Sequence, residues 1–133
     1  MYTLKTSIRL HDTDAAGLLF FAHQFKLAHD AYEGFMEEIG FGFASIIREA
    51  GFLVPIVHAE ADYKTGLSVG DKVTIRLRTV NVGNSSFTLA YDLLDSGDRA
   101  VGSVKTVHVC MDKETRKKKP LPDGLRRALE GNS

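Results

Sequence analysis

Asp12 and Asp14 stand two residues apart in the stretch His11-Asp12-Thr13-Asp14-Ala15-Ala16-Gly17-Leu18-Leu19, just ahead of a helical pattern that begins at Phe21. Acids in that position meet unpaired N–H groups and the positive end of a helix dipole, equivalent to about half an elementary charge. Two uses follow from this. The acids cap the helix, as loop aspartates commonly do. Alternatively, one of them is a nucleophile or general base toward an electrophile whose oxygen is held by the helix-start N–H groups. Gly17 suits the second use, because a residue without a Cβ lets the backbone approach a ligand closely.

Other groups offer weaker chemistry. Gly66-Leu67-Ser68-Val69-Gly70 matches the nucleophile-elbow pattern, but it falls between two strand-like runs instead of between a strand and a helix, so Ser68 is not expected to react. His11, His23, His29, His58 and His108 lack metal-binding spacing, and no metal site is expected. His58 and Glu60 share one face of a strand, which reads either as a half-exposed strand face or as a polar patch at a pocket mouth. Arg116-Lys117-Lys118-Lys119 is either a solvated loop or a clamp for ligand phosphates. Asn84-Ser85-Ser86 reads as a hairpin turn that also presents hydroxyl and N–H groups suited to phosphate. Cys110, the single cysteine, lies in a strand-like run and is expected to pack in the core.

These groups must be positioned by ordered elements. Tyr2 to Leu10 alternates as a strand. From Phe21, the positions Phe25, Ala28, Tyr32, Phe35, Met36 and Ile39 recur at helical spacing until Gly40 ends the pattern. Phe43 to Ala50 predicts a short second helix. Phe52 to Tyr63, Lys72 to Val80, Ser86 to Leu94 and Arg99 to Met111 predict four strands, and Pro122 to Glu130 a closing helix. The links Gly70-Asp71, Gly83-Asn84 and Asp95-Ser96-Gly97-Asp98 are short turns, so the strands they join run antiparallel. The expected fold is α+β: a five-stranded antiparallel sheet packed around one long helix, in a single domain over residues 1–133.

Composition narrows the function classes. The 17 basic and 17 acidic side chains cancel, so bulk charge steers the chain toward neither nucleic acid nor a polyanionic surface. No apolar run reaches the roughly 18 residues of a membrane span, and the first residues lack a secretory core, so a cytoplasmic protein is expected.

The loop Asp12-Thr13-Asp14-Ala15-Ala16-Gly17, the helix from Phe21, Val54-Pro55-Ile56-Val57 and Gly70-Asp71 together resemble the hotdog-fold acyl-CoA thioesterases of the 4-hydroxybenzoyl-CoA thioesterase type. Within that family, Phe21-Ala22 and Val54 to Asp62 are most similar to the 1,4-dihydroxy-2-naphthoyl-CoA hydrolases of quinone biosynthesis. His23 departs from that branch, where an asparagine is usual.

The resemblance implies a thioester hydrolase acting on an aromatic acyl-CoA, with Asp14 as nucleophile or general base and the Phe21 backbone N–H, beside Gly17, polarising the carbonyl. In that reading the acyl group would lie among Phe20, Phe21 and Phe25, and the shared strand face of His58 and Glu60 is the ground for expecting them to meet ring hydroxyls. Asn84, Ser85 and Ser86 fall where relatives contact coenzyme A, and Lys117 and Lys118, or a neighbouring subunit, would supply phosphate contacts. No cofactor is implied beyond coenzyme A as part of substrate and product, and a homodimer or homotetramer is. Two alternatives remain open: a short- or medium-chain acyl-CoA thioesterase, and a noncatalytic domain binding an acyl-CoA or acyl carrier protein.

Overall fold

A computed structural model describes residues 1–133. In chain order the elements are β1 (Tyr2–Ser7), α1 (His23–Glu38), α2 (Phe43–Arg48), β2 (Phe52–Leu53), β3 (Ile56–Tyr63), β4 (Lys72–Val82), β5 (Ser86–Leu94), β6 (Ala100–Val109), β7 (Met111–Asp112) and α3 (Asp123–Glu130). Five strands form one antiparallel sheet in the order β1-β4-β5-β6-β3, while β2 and β7 pair separately. No helix is long and apolar enough to cross a membrane.

Two departures from the sequence expectation have local causes. The predicted strand from Phe52 to Tyr63 is broken at Val54-Pro55, because proline has no N–H for a ladder; Phe52 and Leu53 pair with β7 instead. The helix starts at His23, two residues later than expected, because Phe21 and Ala22 form a turn before it. Its far end closes as a Schellman motif, with Gly40 N–H donating to the Glu37 carbonyl at 3.1 Å and Phe41 N–H to the Met36 carbonyl at 2.8 Å.

The core follows from the two periodicities. Leu27, Ala31, Phe35 and Met36 of α1 are buried, in one cluster with the sheet residues Ile75, Leu77, Leu89 and Val104. Cys110 is buried there as expected, and burial pushes its thiol up. β1 and β3 are the sheet's edges, and β3 carries its whole free side to solvent, with Ile56 and Val57 exposed.

Candidate active site

The loop between β1 and α1 is fastened from two sides. In a 3-10 turn at Leu10–Asp12, the buried Asp12 carboxylate accepts the Arg9 N–H at 3.0 Å and the Lys26 ammonium at 3.1 Å. Burial alone would raise the Asp12 carboxyl, but the Arg9 N–H and the Lys26 charge outweigh it and hold the group below its ordinary value. The Asp12 carbonyl accepts Phe20 N–H at 3.0 Å and His23 Nδ1 at 2.9 Å. A carbonyl can only accept, so the His23 proton sits on Nδ1. On the other side, Leu19 N–H donates to the Leu67 carbonyl at 2.7 Å and Val69 N–H to the Gly17 carbonyl at 3.2 Å. The Gly66–Gly70 segment is therefore a brace for this loop.

Asp14 sits at the tip of a tight turn. Its N–H donates to the Leu18 carbonyl at 2.8 Å, and its Oδ1 accepts Ala16 N–H at 2.8 Å and Leu18 N–H at 3.3 Å. The turn closes through Gly17 at φ +78°, a left-handed conformation that glycine adopts without a Cβ penalty. Asp14 Oδ2 makes no hydrogen bond within the chain, and the exposed side chain lines a cleft of about 310 Å³ with Leu18, Phe21, Gln24, Tyr63 and Leu67.

The N–H groups at the entry to α1 are mostly occupied. His23, Gln24 and Phe25 donate back to the carbonyls of Phe20, Phe21 and Ala22, at 2.8, 3.3 and 3.2 Å. Those of Phe21 and Ala22 donate to no acceptor of the chain. Phe21 N–H, singled out from the sequence, is thus one of two donors still available beside the cleft. It belongs to the turn before the helix and not to the helix proper.

Two residues that sequence reasoning did not single out set this geometry. Tyr63 Oη donates to the Phe21 carbonyl at 2.8 Å, fixing the peptide that follows the free N–H. Gln24, buried, donates its amide to the carbonyls of Asp62 and Ser103 at 3.0 and 3.2 Å, tying α1 to β3 and β6. A Cβ at Gly102 would lie 2.9 Å from that amide, so the close approach needs a glycine. The only sequence signal was a buried-phase polar residue on the helix and a tyrosine ending a strand.

The remaining predicted residues are dispersed. Phe20 is half-exposed, 4.8 Å from the Phe21 ring between centroids, while Phe25 is partly buried against the core; neither lines the Asp14 cleft. His58 and Glu60 approach to 3.4 Å but pair with Val107 and Lys105, on the sheet face opposite the one Ala59 and Ala61 share with buried Thr106 and Val104. The protomer therefore does not bring them to the cleft, because strand alternation sends them to the far face. Asn84, Ser85 and Ser86 form the β4–β5 turn, held by Cys110 N–H on the Ser85 carbonyl at 2.7 Å and Leu121 N–H on that of Asn84 at 3.0 Å. Exposed Lys117 and Lys118 adjoin them, at the opposite end of the sheet from Asp14.

A carboxylate with a free oxygen, a cleft and unpaired backbone donors together suit attack on a carbonyl. The sequence profile of the thioesterase-like superfamily matches residues 8–129. The chain belongs to that superfamily. Its α+β hotdog class, expected from the sequence, is borne out. A 1,4-dihydroxy-2-naphthoyl-CoA hydrolase of Synechococcus elongatus is 35% identical over 130 residues, covering 97% of this chain and 95% of the relative. The crystal structure of a 1,4-dihydroxy-2-naphthoyl-CoA thioesterase from Synechocystis superposes with TM-score 0.90 at 28% identity, covering 96% of this chain and 94% of the other. A gentisyl-coenzyme A thioesterase structure gives TM-score 0.84 at 27% identity, with 96% and 98% covered.

Proposed function

We propose that this superfamily member hydrolyses the thioester of an aromatic acyl-CoA, with 1,4-dihydroxy-2-naphthoyl-CoA or a 4-hydroxybenzoyl-CoA-like ester as substrate. The observation that carries the reading is the free Oδ2 of Asp14 in a cleft beside the unpaired Phe21 N–H. The named relatives act on hydroxylated aromatic esters, which supports the substrate class.

Asp14 Oδ2 attacks the thioester carbon, or takes the proton of a water that does so. In either route the carbonyl oxygen gains negative charge, which the Phe21 N–H stabilises; such donors are often the largest single term in acyl transfer. Collapse expels the coenzyme A sulfur, which leaves as the thiol after taking the proton held by Asp14 in the general-base route or one from water in the nucleophilic route. In the nucleophilic route water then cleaves the Asp14 anhydride. The Oδ1 bonds from Ala16 and Leu18 hold the carboxylate in place and leave Oδ2 for the reaction. No cofactor enters this scheme, since coenzyme A is part of substrate and product.

The working unit in this reading is a homodimer, or a pair of dimers, joined along β3. An eight-residue edge strand with exposed Ile56, Val57 and Tyr63 is a ready template for pairing with a copy of itself. Antiparallel pairing puts the Asn84–Ser86 turn, Lys117 and Lys118 of one protomer toward the Asp14 end of the other, where coenzyme A phosphates would emerge. The reaction would take place in the cytoplasm.

Thiol release from a panel of aromatic and straight-chain acyl-CoA esters tests the reading. The aromatic esters are expected to turn over fastest, and Asp14→Asn to lower kcat by about 100-fold or more. No thiol release by the wild type from any ester would overturn it.

A further inference from the structure

Lys5 and Ser7 of β1 stand on the sheet face away from α1, because Thr6 between them pairs with Val73, which is buried in the core. Their partners across the ladder are Thr74 and Lys72 of β4. Lys5 and Lys72 are therefore diagonal neighbours on one face, roughly 7 Å apart at Cβ. Arg9, two residues past Ser7, completes the group, and all five side chains line a cleft of about 390 Å³ at the β1 edge.

The three cations have no counter-charge in the chain. Arg76, further along β4, lies 3.9 Å from Asp98, but none of Lys5, Arg9 and Lys72 forms an ion pair, and no acid lines the cleft. The acids nearest in sequence are committed elsewhere. Asp71 Oδ2 accepts Ser68 N–H at 2.8 Å, and the Asp12 carboxylate accepts Arg9 N–H and the Lys26 ammonium. Like charges set this close on a sheet repel, and a bound anion would remove that repulsion.

The extent of the patch decides what kind of anion fits. With net charge zero over the chain, the positive field is confined to three side chains, whereas a nucleic-acid backbone or a membrane surface calls for a long basic face. A concave site with a forked guanidinium, two ammonium groups and the Ser7 and Thr74 hydroxyls suits a compact, multiply charged group such as a diphosphate. Its position sets it apart from the thioester. The Asp14 cleft adjoins the end of β3, the other edge of the sheet, four strand spacings or about 19 Å away, and α1, whose Gln24 lines that cleft, packs on the opposite face.

We propose that the cleft of Lys5, Arg9 and Lys72 binds a free diphosphate-bearing anion, pyrophosphate or a nucleoside diphosphate, at a site separate from the reacting thioester. The inference does not depend on the thioesterase reading.

Isothermal titration at low ionic strength with pyrophosphate, ADP and inorganic phosphate tests it. Pyrophosphate should bind one to a chain, about tenfold or more tighter than inorganic phosphate, and Lys72→Gln and Arg9→Gln should each weaken it about tenfold. Both side chains are exposed, so the thermal midpoint without anion should be unchanged or higher in the variants, which reports an intact fold. ADP binding as tightly as pyrophosphate supports the site and assigns it to a nucleoside diphosphate; much weaker ADP binding supports it and assigns it to the free ion. No saturable binding by the wild type would overturn the proposal. So would binding that survives both changes and is lost instead in Lys117→Gln with Lys118→Gln. KM for an acyl-CoA ester should be the same in wild type and Lys72→Gln. A KM that rises in step with the loss of pyrophosphate affinity would mean that the cations serve the substrate's own coenzyme phosphates, and would overturn the separate site. Failure of the wild type to hydrolyse any thioester would remove the thioesterase reading and leave the titration to decide this one.

Discussion

The Lys26 ammonium lies 3.1 Å from Asp12 Oδ1, so the first turn of α1 and the loop that carries Asp14 are joined by a charge-assisted hydrogen bond. Asp12 is buried and Lys26 half-exposed, which makes the pair a hinge pin at the mouth of the site and not a reacting group.

Lys26→Met should therefore act on the loop without touching the cleft. We expect a stability loss of about 1 kcal/mol, discounted for the exposure of Lys26, and a several-fold lower kcat as Asp14 loses its fixed position. Urea unfolding and thiol release measure the two effects. A variant that matched wild type in both would show that the pair holds nothing.

Gly17→Ala isolates the role of the turn. A Cβ at that position would meet nothing within 4 Å, so any loss comes from the backbone at φ +78°. The left-handed conformation should cost about 1 kcal/mol in the alanine variant, and Gly17→Asn should lose less. Thiol release should fall in the same order, alanine below asparagine below wild type. The reverse order would mean that the conformation of Gly17 does not set Asp14.

Val57→Lys places a charge on the free edge of β3, where Val57 is 57% exposed and outside the core. We expect sedimentation to shift to the monomer mass and thiol release to fall with it, since charged edges resist pairing. Retained mass with retained activity would argue that β3 is not the interface.

Stability should fall on mild acidification because of His108. Its ring is buried, stacked 4.6 Å from Phe87 between centroids, and its Nε2 bonds Thr106 Oγ1 at 2.8 Å. Burial pushes the imidazole down to about 4, against an upward pull from the Val54 backbone. The folded state thus resists a proton that the unfolded chain accepts near its ordinary value of 6.5. The contribution is complete above that value and is lost as pH falls from about 6.5 to about 4, by up to about 3 kcal/mol. Urea midpoints at pH 7 and pH 5 check this, and His108→Gln should flatten the difference. Equal midpoints in wild type would show that the ring is protonated while folded.

Periodicity alone was enough to place α1, the closing helix and the sheet strands, because side chains that must be buried recur at the spacing of the element that buries them. The loop that carries Asp14 was also legible as a candidate site, but Gly17 was read there as room for a ligand, and its left-handed φ of +78°, which closes the Asp14 turn, emerged only in the fold. What tertiary structure decided were relations between segments distant in sequence. Asp12 and Asp14 look alike in the chain, yet Lys26 and burial make one a staple, while an open cleft leaves the other an oxygen to react with. The break at Pro55 turned one predicted strand into two, and the register of β3 on β6 put His58 and Glu60 on the outer face, since alternation fixes relative faces but not which face meets the helix. Gln24 and Tyr63 gained their roles only when α1 and β3 came together, through hydrogen bonds to carbonyls that no residue pattern encodes. The free N–H of Phe21 likewise depended on which turn carbonyls the neighbouring N–H groups had already taken, and that is a property of the folded backbone.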